Sequence, residues 1–424
     1  MRWVSLIALC ALSCDRRGPG PVAPNVTTRP DVSPGEQDVA VSLLDDVRAS
    51  ASEDATARAV LALARPFATP SASRPADIVQ RPEGAELRVA SGFRARVWAS
   101  VPGRVRQVAV ASNGDVLATD SAVGAVLLLR DANGDGRADV PVVLARRLEL
   151  PFGIAIHPEG WLYVANTNGV VRWRYRAGDS ALSGSPERVV PLPGRGYNQH
   201  WTRSIAFSRD GRQLFVSVGS ETNVEAESDP RRAAITVCAI DGSNCRVFAS
   251  GLRNAIGLAI EPATGALVAA VNERDELGDD LPPDYLTRVS DGAFYGWPYA
   301  YWGPNEDPRR AGERRDLVAR SVVPDLSLGA HAAPISVVFP RALGGDALVS
   351  LHGSWNRSTL HGYEVWRVRF VRGVPTDTSV FVSGWKFAED KVWGRPAGMA
   401  ETPRGTILLV DDGSHAIYEI ERTS

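Results

Sequence analysis

The sequence predicts an all-β protein, a six-bladed β-propeller, and three observations carry that prediction. First, one phrase recurs six times: an apolar pair near a small residue, a Gly-containing turn, then a β-rich run. Its copies start at Gln107 (QVAVASNGDVLATD), Gly153 (GIAIHPEGWLYVAN), Ser204 (SIAFSRDGRQLFVSVG), Gly257 (GLAIEPATGALVAAV), Pro334 (PISVVFPRALGGDALVSLHG) and Gly398 (GMAETPRGTILLVDD). The starts lie 46, 51, 53, 77 and 64 residues apart, and a hairpin recurring at this period is the signature of radial repeats. Second, further β runs such as AVLLLRD, VVRWRYR and EVWRVRF follow most copies, so each blade can reach four strands. Third, FRARVWASV at Phe93 precedes the first full repeat and AIYEIERT ends the chain. An N-terminal strand is therefore expected to complete the last blade and remove two open edges.

Length alone would suggest two or three domains at about 150 residues each, but blades of one ring do not fold separately, so residues 86–424 are assigned to a single propeller. A net charge of −2 with 44% hydrophobic residues describes a soluble globular chain and gives no basic excess for nucleic acid. Lysine occurs only at Lys386 and Lys391.

Residues 1–14 form a signal-peptide and lipobox region. Arg2 precedes an apolar stretch from Val4 to Leu12, too short to span a membrane permanently. Cys14 follows Ala11-Leu12-Ser13, which resembles a bacterial lipobox. The expectation is export, with lipidation of Cys14 on the periplasmic face of an envelope membrane, or a soluble periplasmic protein. Cys238 and Cys245 flank AIDGSN, and a four-residue loop would set them opposite each other across a hairpin, where a disulfide suits an exported chain. Two buried thiols are the alternative. Residues 15–85 read as a Pro/Ala-rich tether, with apolar residues between Glu36 and Arg65 that allow one or two short helices.

The chemistry-bearing residues sit in loops next to the repeats. His200 precedes an inner strand, where an imidazole can take a proton near neutral pH, or act as a structural histidine bonded to backbone. Arg253 and Asn254 precede the next inner strand, HGSWNRS holds Asn356 and Arg357, and VWGRPAGMA holds Arg395. Arginines recurring near inner-strand ends suggest one polyanionic small molecule over the axis; individually each could be a rim ion pair. The acidic run VNERDELGDDLPPDYL could hold a hard cation such as calcium or be a solvated loop. The aromatics that follow it, Tyr295 to Trp302, could wall a pocket or pack. DANGDGRAD places Asp131, Asn133, Asp135 and Asp139 at the spacing of an EF-hand-like turn without its final Glu; the alternative is a loop held by Asx turns.

Taken together, VSVGSETNVEAESDPRRAAI, GLRNAIGLAIEPATG, VNERDELGDDLPPDYL, YGWPY, HGSWNRS, GRPAG and LVDDGSHAIYEI resemble the pyrroloquinoline quinone (PQQ) dependent sugar dehydrogenases, specifically the sorbosone dehydrogenase-like branch, over about Phe93 to Arg422. The resemblance implies a six-bladed propeller with PQQ at its mouth, Ca2+ beside the quinone, and a sugar or sugar-derived aldehyde as substrate, with electrons passing to an external acceptor. It implies His200 as base, assisted by Arg253, and cofactor binding by Arg253, Asn254, Asn356, Arg357 and Arg395. Asn356 and Arg357 stand where the soluble glucose dehydrogenase branch has a lysine, and the partner of Arg395 in a pair of carboxylate-binding arginines is replaced by Trp393. Calcium ligation falls to the Arg274 backbone and Asp275. Two rival readings remain, a calcium-dependent lactonase-like hydrolase and a non-catalytic, envelope-tethered binding propeller, because fold does not fix activity.

Overall fold

The computed structural model describes residues 62–196 and 200–423. Residues 1–14, Cys14 and the tether up to Leu61 lie outside them, as do most of the positions proposed for short helices; residues 62–65 have no helix. Leu61–Ser424 forms one compact unit.

Six antiparallel sheets form the blades. Their inner strands are Val105–Val110, Ile154–His157, Arg203–Phe207, Asn254–Ile260, Pro334–Val338 and Pro396–Glu401, and each neighbours the next around the axis. The predicted hairpins are the first two strands of each blade, for example Arg203 paired with Val218 and Phe207 with Leu214. The ring closes as expected: Phe93–Ser100 is the outer strand of the sixth blade, running antiparallel to Ala416–Arg422. Alternating apolar residues pack blade on blade, as with Val268, Ala270 and Leu286 of blade four against Val337, Val349 and Leu351 of blade five. The valines and leucines among them contribute about 1.5–3 kcal/mol each on burial.

Blade four is interrupted between its third strand, Pro283–Arg288, and its fourth, Leu326–Ala330. The insert carries a small hairpin, Ala300–Tyr301 with Asn305–Glu306, and a short helix, Arg315–Ala319. This accounts for the longest spacing between repeats. Tyr295, Tyr301 and Trp302 of the insert are buried in the core cluster of blades three and four, so these aromatics pack rather than wall the central cleft.

The stretch 62–85 is extended and held against the ring. The Phe67 N–H donates to Leu277 O, Arg74 N–H to Trp355 O, and Asp77–Ile78 runs parallel to Lys391–Val392. Four prolines, Pro66, Pro70, Pro75 and Pro82, favour this extended form.

The predicted disulfide is present. Cys238, near the end of the strand Ala234–Ala239, bonds Cys245, which precedes Arg246–Ser250, with Cα atoms 4.1 Å apart. The two residues face each other because Val237 pairs with Arg246.

Candidate active site

Each inner strand leaves one mouth of the ring and the second strand returns to it. Residues just before an inner strand and just after a second strand therefore converge there. This topology gathers His200, Arg253, Asn254 and Arg395, predicted from separate repeats, around one cleft of about 290 Å³. Asp275 lines it too.

The inner strands of blades one, four and five each carry a bulge at this mouth, where the register skips Arg106, Ile256 and Ile335. A bulge re-aims the unpaired residue, and all three of these side chains line the cleft. Arg106 was not singled out in the sequence. It occupies the bulge position where blades four and five have isoleucine, and the sequence pattern carried no separate signal for it, since Arg203 stands at the same place ahead of the third repeat.

The Arg106 and Arg395 side chains share one carboxylate. Arg106 Nε lies 2.6 Å from Asp412 Oδ2, and Arg395 Nε lies 3.2 Å from Asp412 Oδ1. His352 Nε2 is 2.9 Å from the same Oδ1. Burial would raise the Asp412 carboxyl, but the His352 ring and the two guanidiniums outweigh that and hold it well below the usual range. Burial lowers the His352 imidazole to about 4, so it is neutral at pH 7. Two cations on one anion leave a positive surplus on this wall, suited to a carboxylate ligand. Arg106 also lies over the ring of Trp201, 5.7 Å from its centroid.

The opposite wall is acidic. Glu273, Asp275 and Asp284 are all buried. Arg253 donates to Asp275 Oδ2 at 2.9 Å, to Asn223 Oδ1 at 3.0 Å and to Glu273 O. Burial pushes the carboxyl of Glu273 up to about 8 and that of Asp284 up to about 7. Glu273 Oε1 has no hydrogen-bond partner among the described residues. Arg274 turns its side chain away from the cleft onto Asp307, with Nη1 3.0 Å from Oδ2.

His200 lies between the walls. Its Nδ1 is 3.1 Å from Ser220 O, so Nδ1 donates and the lone pair belongs to Nε2. Burial, reinforced by the nearby Arg253 charge, pushes the imidazole well below its ordinary value. Arg203, fully buried on the inner strand, donates to His200 O at 2.9 Å and to Thr167 O at 3.1 Å, anchoring the loop that presents the ring. A Cβ on Gly219 would fall 2.4 Å from Asn254 Oδ1 and 3.1 Å from His200 Nδ1. Only glycine lets the two come this close.

Other predicted residues sit elsewhere. Asn356 and Arg357 do not line the cleft. The Asn356 side chain accepts from the Glu276 N–H at 2.8 Å and donates to Ala72 O at 2.6 Å; Arg357 pairs with Asp280 at 2.8 Å. Asn356 thus ties the segment 62–85 to the acidic loop, and Arg357 braces that loop. The DANGDGRAD loop lies at the outer side of blade one, between Ala125–Leu129 and Val142–Ala145. Asp131, Asn133, Asp135 and Asp139 each accept a backbone N–H, from Gly136, Asp135, Arg137 and Ala132 respectively. Among the described residues no three His, Cys, Asp or Glu side chains are grouped to hold a metal.

Fold and cleft together define a six-bladed propeller whose axial mouth sets a pair of guanidiniums and a group of buried carboxylates around a half-buried imidazole. Residues 87–423 match the TrAA12-like family, and the chain belongs to it. The chain is 26% identical to the pyrroloquinoline quinone-dependent pyranose dehydrogenase of Coprinopsis cinerea over 327 residues, 66% of this chain and 44% of that protein. It thus spans less than half of that curated relative's length. The holo PQQ domain of the Coprinopsis cinerea pyranose dehydrogenase superposes with a TM-score of 0.70 at 22% identity, covering 81% of this chain and 98% of that domain. A calcium structure of a Trichoderma reesei family AA12 enzyme superposes with a TM-score of 0.71 at 22% identity, covering 82% and 99%. At these identities the superpositions show the fold.

Proposed function

We propose that the protein is a PQQ- and calcium-dependent dehydrogenase that oxidises a sugar or sugar-derived aldehyde at the propeller mouth and passes electrons to an external acceptor. The observation that carries this reading is the shared carboxylate: Arg106 and Arg395 converge on Asp412, leaving positive charge for a polycarboxylate, with His200 in the same cleft. Named relatives that act on sugars with PQQ support it.

The residues present fit the cofactor. Arg106 and Arg395 would hold its carboxylates and Asn254 would add a donor. For the cation, Glu273 Oε1 is a buried oxygen without a partner, and with the Arg274 carbonyl and Asp275 it would share ligation with the cofactor's own oxygens. When bound, PQQ supplies a two-electron acceptor that calcium polarises. The chain's own part is proton transfer and positioning. His200 Nε2 would take the substrate hydroxyl proton while the carbon-bound hydrogen passed as hydride to the bound two-electron acceptor, and Ser220 O, accepting from Nδ1–H, holds the tautomer in which the ring can do so. Arg253, locked to Asp275, keeps a positive charge near the ring and so keeps the base neutral.

The same proposal places the protein outside the cytoplasm, anchored through Cys14, on the lipobox and the disulfide chemistry of Cys238 and Cys245. The decisive experiment adds PQQ and calcium to apoprotein and reads both melting temperature and sugar-dependent dye reduction. Ligand at 100 times its dissociation constant stabilises by about 2.7 kcal/mol. No shift at micromolar PQQ with millimolar calcium overturns the reading, and the lactonase and binding-propeller alternatives then return.

A further inference from the structure

The segment that crosses the mouth lies outside the family match, which begins at residue 87. It is nonetheless part of the cleft, because Pro75, Ala76 and Ile78 line it together with Trp355. The floor of the cleft is charged, whereas this rim is apolar and open to solvent: Ile78 is 41% exposed and Trp355 38%. At about 290 Å³ the cleft stands near the lower end of the roughly 300–1,000 Å³ typical of small-molecule sites. A cofactor on the guanidinium wall would occupy the charged floor, which leaves the apolar rim as the face open to a second molecule.

The rim is held in place by its backbone. Thr69 Oγ1 accepts from the Asp279 N–H at 2.8 Å, Ala72 O accepts from Asn356 at 2.6 Å and Arg74 N–H donates to Trp355 O at 2.7 Å. Beyond Ile78, Val79 N–H donates to Val392 O at 2.9 Å. The side chains of Pro75 and Ile78 are therefore presented by a fixed main chain.

We propose that Ile78 and Pro75, with Trp355, form the substrate-side wall of the active site and select a single sugar ring. The C–H face of the ring lies on the apolar rim and its hydroxyls point down toward His200. This inference rests on the dehydrogenase reading above and adds a specificity element that belongs to this chain's own N-terminal segment.

The test uses the full chain loaded with PQQ and calcium, as wild type, Ile78→Ser, Ile78→Val and Trp355→Ala. Dye reduction is read with glucose and with maltotriose, and PQQ retention is read by absorbance after gel filtration. Ile78→Ser and Trp355→Ala are expected to raise KM for glucose about 5- to 20-fold with kcat within about twofold, the signature of lost uniform binding. Ile78→Val restores KM, the preference for glucose over maltotriose narrows in the serine variant, and PQQ retention is unchanged throughout. Unchanged KM and unchanged discrimination in a wild-type background that takes up PQQ and reduces dye overturn the wall alone. Failure of the wild type to take up PQQ overturns the dehydrogenase reading and this wall with it.

Discussion

Two acidic loops in this chain look alike in composition and behave differently. In DANGDGRAD on blade one, Asp131, Asn133, Asp135 and Asp139 each turn one side-chain oxygen onto a backbone N–H of the same loop; the loop is mostly exposed, and the second oxygen of the half-buried Asp131 has no hydrogen-bond partner among the described residues. In the loop that follows the second strand of blade four, Asp275 is committed to Arg253, Glu273 leaves Oε1 without a partner, and both residues are buried. The difference teaches that burial where strands converge, rather than a run of carboxylates, marks a candidate site. An exposed carboxylate can choose its nearest N–H. One buried at a convergence of strands must be answered by another residue or by a ligand.

The largest expected effect separates the mouth from the outer loop. His200→Ala should lower turnover by roughly 10²- to 10⁴-fold with PQQ binding nearly intact, whereas Asp135→Ala on the outer loop should leave turnover within about twofold. Equal losses in steady-state dye assays would dissolve the distinction between the loops. Because burial keeps the His200 base neutral below its ordinary value, the acid limb of kcat/KM should lie well below pH 6.5. A limb at or above 6.5 would remove His200 from the base role.

Next comes the ion pair. Asp275→Ala leaves Arg253 buried beside the Glu273 carbonyl without its carboxylate, and should destabilise the protein by about 3–5 kcal/mol, read by denaturant unfolding. Asp139→Ala should cost about 1 kcal/mol.

A smaller effect follows from titration of the metal-free protein. Glu273 and Asp284 have folded-state pKa values raised to about 8 and about 7, so the folded state binds more protons than the unfolded state between their ordinary values and these. Apoprotein stability should therefore fall as pH rises from about 5 to 8, and Glu273→Gln should flatten that slope. An unchanged slope in thermal melts would show that the acid wall does not titrate as described. The disulfide, whose short loop implies about 2–3 kcal/mol from chain entropy, lies on another blade, in the hairpin that ends blade three. Mass spectrometry of the unreduced, alkylated protein should find Cys238 and Cys245 protected.

The sequence by itself determined the ring. Six copies of one hairpin phrase specify where the inner strands begin, and unpaired strand edges at the two ends of the propeller dictate that Phe93–Ser100 closes the sixth blade. It also marked His200, Arg253, Asn254 and Arg395, because a residue just ahead of an inner strand must arrive at the mouth. Only the tertiary structure decided what meets across that mouth. Arg106 became visible through a bulge, a departure from pairing that a strand pattern does not encode. Asp412 gained its role as the shared partner of Arg106 and Arg395 from the closeness of two blades far apart in sequence. Asn356 and Arg357 hold the N-terminal segment and the acidic loop, since side chains bond to whatever lies within reach after packing. The segment from 62 to 85 has a tether's composition, yet its extended prolines and backbone groups found open hydrogen-bond partners on the rim. Local periodicity sets strands and turns through short-range sterics, whereas the site is a set of long-range contacts that exists only once the ring has closed.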